Sequence, residues 1–130
     1  MEDLRVSLRL HAISREEINA SINSRFHIDR LPETVTMPCI RLRTVNDTPM
    51  TNRSAKGLGR AVYQLEVYSE DTIEATQIAL TLLDVYDGYQ GAIGSFDTRI
   101  LAQDIPGDWG PAERLFMRMV EMDVGYVSTL

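Results

Sequence analysis

Cysteine is almost missing from this chain: Cys39 is the only one among 130 residues. No disulfide can form within one subunit, so the fold must be held by a packed core. One thiol suits a reducing compartment, and it suits a disulfide-free extracellular particle equally well. No apolar run approaches the roughly 20 residues of a membrane span. The opening stretch MEDLRVSLRLHAIS interrupts its apolar residues with arginines, unlike a secretory signal. Low-complexity tracts and internal repeats are missing too. Positive charge is scarce, with 13 Lys and Arg against 19 Asp and Glu, a net charge of -6. That balance counts against a protein that grips nucleic acid by its phosphates, though not against one that DNA slides past.

Hydrophobic residues make up 44% and charged residues 25%, which predicts one soluble globular domain over residues 1–130. Asp3 to Ile13 reads two ways. Leu4, Val6, Leu8 and Leu10 alternate as in a strand, whereas Leu4, Leu8 and Ala12 recur as on a helix; we take the helix. Ser14 and Glu17 form a capping-box pattern that opens a second short helix to about Ser21. Arg25 to Met37 reads as irregular, punctuated by Pro32 and Pro38, and Pro38 marks a sharp start to a strand over Cys39–Asn46. There Ile40 and Leu42 share one face and Arg41 and Arg43 the other. Asn46 to Gly59 reads as a long polar loop, mobile in the free subunit. The next strand puts Ala61, Tyr63, Leu65 and Val67 on one face, with Gln64 and Glu66 opposite.

Ser69 and Asp71 offer caps for a long helix, Asp71 with Glu74 as a capping-box variant, and Gly88 stops it. The apolar arc of this helix is wider than one sheet face requires, so it should touch a second surface, the N-terminal helices or another subunit. Two further strands follow, Phe96–Gln103 and Leu115–Val127, separated by the turn-rich DIPGDWGPA. The order predicts an α+β domain: a mainly antiparallel four-stranded sheet with one long helix and N-terminal helices packed on one side.

Candidate chemistry is thin. The chain has two histidines, His11 and His27, and neither C-x-x-C nor H-E-x-x-H occurs, so no metal site, cofactor or catalytic residue is expected. Cys39 reads as a small buried hydrophobe rather than a nucleophile. Gly57-Leu58-Gly59 precedes a strand instead of opening a helix, which is wrong for a phosphate loop. Asp97, Asp104 and Asp108 could be imagined as a two-metal cluster, but aspartate is common in turn-rich loops. Two features suit an interface instead. Trp109, beside Asp108 in G-D-W-G-P, lies outside any apolar periodicity and could anchor a partner or cap the core. Arg53, Lys56 and Arg60 gather positive charge around the Asn46–Gly59 loop, which could dock an acidic neighbour or simply be solvated.

The landmarks, taken in order, resemble the small tail-completion or tail-terminator proteins of long-tailed phages, the family that includes the lambda tail terminator. The resemblance rests on Arg25-Phe26-His27 through Arg30-Leu31-Pro32, Met37-Pro38-Cys39-Ile40, Tyr63-Gln64-Leu65-Glu66-Val67-Tyr68, and Glu74-Ala75. It continues in Leu82-Leu83-Asp84 to Gly88-Tyr89-Gln90-Gly91 and in the alternation of the last strand. It covers roughly Arg25 to Val127; the N-terminal segment is more arginine-rich and more strand-like than the family's helix, and the Asn46–Gly59 loop has no sequence that matches the family's. The resemblance implies a structural virion protein made in the host cytoplasm. It would form a homo-hexameric ring on the head-proximal end of the tail tube, meeting the tube protein on one side and the head connector or stopper on the other. It would end tube elongation, and genome DNA would pass through without specific binding. The alternatives are a small cellular α+β ligand-binding or regulatory domain and a different phage neck protein for head completion; a hydrolase using the aspartates ranks last.

Overall fold

The computed structural model describes residues 3–50, 58–105 and 115–129. Helix α1 spans Leu4–Ser14 and α2 spans Glu16–Ile22. Strands β1 (Phe26–Ile28), β2 (Cys39–Met50) and β3 (Leu58–Ser69) follow, then α3 (Thr72–Tyr86). Strands β4 (Gln90–Ile93), β5 (Phe96–Ile105) and β6 (Phe116–Ser128) complete the described chain. All six strands form one sheet in the order β1-β2-β3-β6-β5-β4.

The α+β class and the helix at the N-terminus stand; among the described residues the sheet has six strands rather than four. The two extra strands are short edge strands. β1 pairs parallel to β2 through Phe26↔Ile40 and Ile28↔Leu42, and every other pairing is antiparallel. Three residues of strand carry too little periodicity to be read within an irregular stretch, and β4 is a four-residue hairpin arm closed on β5 at Ile93↔Phe96. Both edges pack against α1, so the sheet curls around that helix. Edge groups are blunted accordingly. The Arg9 guanidinium donates to the Phe26 carbonyl of β1 at 2.7 Å. The Asp87 carboxylate accepts from the Ala102 amide of β5 at 3.1 Å, just past the end of α3.

The expected Asn46–Gly59 loop is shorter than its composition suggests. Asn46 to Met50 continue β2 and pair with Val62 to Leu58, after a bulge between Thr44 and Asn46. The polar residues are strand residues on an exposed edge, where alternation brings no burial signal. The remainder of that loop, 51–57, lies outside the described residues, and so does the mobility expected of it.

Caps differ from expectation at α2 and agree in part at α3. Ser14 donates to the His11 carbonyl, and Glu17 accepts from the Arg15 side chain, so no capping box forms; Arg15 is the N-cap, and its side chain does not cap the helix. At α3, Asp71 caps by accepting from the Ile73 amide, while Glu74 accepts from the Ser69 hydroxyl. Gly88 follows the helix with φ +80, the left-handed conformation that favours glycine.

The three helices lie on one face of the sheet. The core between them is built from Leu8, Ile18, Ile22, Ile40, Leu42, Tyr63, Leu65, Leu82, Ile100 and Val120, all essentially without exposure. The face predicted for β3, Ala61 through Val67, is this core face. The opposite face carries a smaller cluster at one end: Cys39, Tyr68 and Met117, covered by Leu31, Val35 and Met37 from the segment between β1 and β2. That segment is therefore not a mere connection. Its proline-punctuated path lays apolar side chains over the back of the sheet.

Candidate assembly surface

Where the Leu31–Met37 segment does not cover it, the back of the sheet is largely polar, with Leu101 and Val127 as exposed apolar exceptions. Glu66, on β3, is buried and receives the Arg41 guanidinium from β2, with Arg43 3.8 Å away on the same face. Next along, Gln103 donates to Glu121 at 3.3 Å. Beyond it, Arg60 on β3 grips Asp123 on β6, with Nε 2.8 Å from the carboxylate. That pairing holds the Asp123 carboxyl below the usual carboxylate range. A shallow open groove of about 470 Å³ runs past this pair, with Leu58, Arg99, Leu101 and Gly125 along its walls. Its floor is low because Gly125 sits between Arg60 and Arg99 in the ladder and adds no side chain.

On the helix side of the same strand, the next residue is Tyr126. Its hydroxyl donates to the Asp47 carboxylate at 2.8 Å, and its ring meets Phe96 edge-on at 5.7 Å. Burial and the Asp47 bond push this phenol up to about 12. A Cβ at Gly59 would meet the Tyr126 hydroxyl and ring, so a larger residue there would have to push the tyrosine aside.

Of the predicted interface residues, Arg60 is on the exposed back face and is neutralised by Asp123 rather than free for an acidic neighbour. Arg53, Lys56, Asp108 and Trp109 lie outside the described residues. The candidates for chemistry do not converge. Asp97 and Asp104 sit seven residues apart on β5, about 23 Å along a strand and on opposite faces, and Asp104 is paired with Arg118 at 2.9 Å. His11 accepts or donates at the Tyr86 hydroxyl, 2.9 Å away, under an aromatic group completed by Tyr89. His27 is on β1, at the far edge. Burial pushes the Cys39 thiol up to about 11, far from a nucleophile's range. Among the described residues, no group of three or more His, Cys, Asp or Glu could hold a metal ion.

Sequence reasoning saw that the apolar arc of α3 was too wide, but not which residues it left over. Ala75, Ile78, Ala79, Leu82 and Tyr86 are buried, and α2 packs on the same helix. Ile73 and Leu80 remain 68% and 52% exposed. Val6 and Leu10 on α1 are similarly bare, at 45% and 54%. The signal was the width of each arc, and only packing shows which part the neighbouring helices take.

Residues 6–99 match the family described as tail completion protein gp17. The chain belongs to this family. Its role is therefore that of a phage-tail structural protein, as the resemblance implied. A chain from the virion of a native gene transfer agent particle has a similar fold: TM-score 0.60 over 96% of this chain and 91% of that one, at 12% identity. A second solved structure aligns over 97% of this chain and 96% of its own, with TM-score 0.52 and 17% identity. No curated protein sequence matches. At these identities the structural likeness concerns the fold alone, and the family assignment rests on the sequence match.

Proposed function

We propose that this tail completion protein acts in the virion as a ring component at the head-proximal end of the tail tube. The ring, a homo-hexamer, ends tube elongation by closing its own contacts and offers its other side to the head connector. The role is geometric and non-catalytic, and genome DNA passes without being gripped. The observation that supports this reading is the family match over residues 6–99, on a chain whose fold resembles a virion protein along nearly its full length.

Particles produced without this chain should contain heads and unjoined tubes of irregular length. Electron microscopy of complete particles should place the chain as a ring at the neck. Tubes of normal length attached to heads in its absence would refute the reading. Fluorescence anisotropy should find no salt-sensitive submicromolar binding to duplex DNA.

A further inference from the structure

The outward stripe of α3 has a regular composition. Ile73, Gln77, Leu80 and Asp84 are all exposed on the helix and succeed one another at steps of four, three and four residues, with Glu70 exposed just before the N-cap and Asp87 just past the helix end. That is the spacing of a seam, with one residue per turn facing a partner. Two apolar side chains are held along it, Asp84 closes its C-terminal end, and Glu70 and Asp87 flank the helix. The stretch 61–98 that contains it has no lysine or arginine. A carboxylate-rich stripe repels phosphate and anionic lipid alike, so its partner must be apolar and basic.

The same chain carries such a surface. Helix α1 holds Arg5 and Arg9 and no carboxylate over Leu4–Ser14. Its outward stripe presents Val6 and Leu10, both about half exposed. Arg5 is engaged by Asp3 and Asp29, but the described partners of Arg9 are the backbone carbonyls of Phe26 and Ser24, so its charge is not cancelled by them. Spacing agrees as well. Ile73 and Leu80 stand two turns apart, about 10 Å along the axis, and Val6 and Leu10 stand one turn apart, about 6 Å. The second pair can seat between the first, over Gln77.

We propose that the α3 stripe of one subunit docks on the α1 stripe of the next. This rests on the ring reading and names its contact. Both helices lie on the same side of their own sheet with these stripes turned out to solvent, so the contact joins separate copies. It joins two different surfaces, so it is head-to-tail and generates a ring instead of a symmetric pair. Arg9 beside the α1 stripe, bonded to carbonyls and not to a carboxylate, and Asp84 on the α3 stripe also offset part of the mutual repulsion of subunits that each carry -6.

Cross-linking tests the contact directly, because the native thiol of Cys39 is buried. Leu10→Cys and Leu80→Cys are placed together in one chain and singly in two others. Each is treated with a short bis-maleimide, as purified protein and in assembled particles. The double variant should give a ladder of covalent multimers up to the full ring, and each single variant should stay monomeric. Dimers from Leu80→Cys alone would mean that α3 pairs with itself, and would overturn the proposal. So would an uncross-linked double variant whose light-scattering mass is that of a ring, while leaving the ring reading intact. A chain that is monomeric alone and forms no ring in particles would remove both. As an independent arm, Leu10→Glu and Leu80→Glu should each reduce the ring mass to that of a single chain with unchanged Tm. Mixing those two variants should yield dimers and nothing larger, since only one sound contact remains between them; ring mass retained by either variant would overturn the proposal.

Discussion

The two faces of the sheet are made by alternate residues of the same strands, yet they are held by different physics. On the helix side, Leu42, Leu65, Val120 and Ile100 are stripped of water by three helices and contribute through burial and close packing. On the back, the same ladder carries Arg43, Gln64, Glu121 and Gln103, and its stability comes from cross-strand pairs. Only the end nearest Cys39 has apolar cover, and that cover is a loop. The helix side is a core that tolerates little change. The back is a surface whose interactions are local and largely separable, except at Glu66, which is buried although its face is polar.

Neighbouring substitutions can break this contrast. Leu65→Ala should cost about 3 kcal/mol in denaturant unfolding, the range for truncating a fully buried leucine. Gln64→Ala, one residue away on the other face, should change stability by less than about 0.5 kcal/mol. Equal costs would mean that the back face is a second core. Glu66→Ala should lie between them at about 2 kcal/mol, because it leaves Arg41 without its buried carboxylate. The double variant Arg41→Met with Glu66→Leu should recover much of that loss. If it does not, the pair does more than neutralise itself.

A smaller effect separates the two ends of the helix-side face. Tyr126→Phe removes the bond to Asp47 and should cost about 1 kcal/mol near neutral pH. The folded phenol is raised above its ordinary value near 10 to about 12. A raised value means that the folded state favours the protonated phenol. Its contribution is therefore complete below about pH 10 and is lost as pH rises through about 12. The Tm gap between wild type and Tyr126→Phe should accordingly shrink across that window, and a constant gap would place the loss elsewhere. A further small change in stability is expected at Cys39→Ala, about 1 kcal/mol or less. In the wild type the thiol should resist alkylation at pH 8 until denaturant is added, because burial disfavours the thiolate.

How much of this could be read from the chain varies with element length. The alternation Ala61-Tyr63-Leu65-Val67 and the spaced apolar residues of Thr72–Tyr86 announced β3 and α3, because each element repeats its pattern several times. β1 and β4 span three and four residues, at most two full repeats of the strand period. Asn46–Met50 failed for another reason: an exposed edge strand need not bury either face, so its polar sequence resembles a loop. Ser14 and Glu17 fitted a capping motif, but the chain turns at Arg15, and the side chains found other partners.

The sequence alone determined the acidic balance, the lack of any internal disulfide, the main strands and helices and the family, since each is written in composition, periodicity or ordered motifs. The tertiary structure decided which apolar residues were left outside. Val6, Leu10, Ile73 and Leu80 are as hydrophobic as the residues beside them. No local pattern distinguishes a leucine that a neighbouring helix covers from one that none reaches. That distinction depends on how far α1 and α2 extend over α3 and on how tightly the sheet curls around α1, contacts set by residues far apart in the chain.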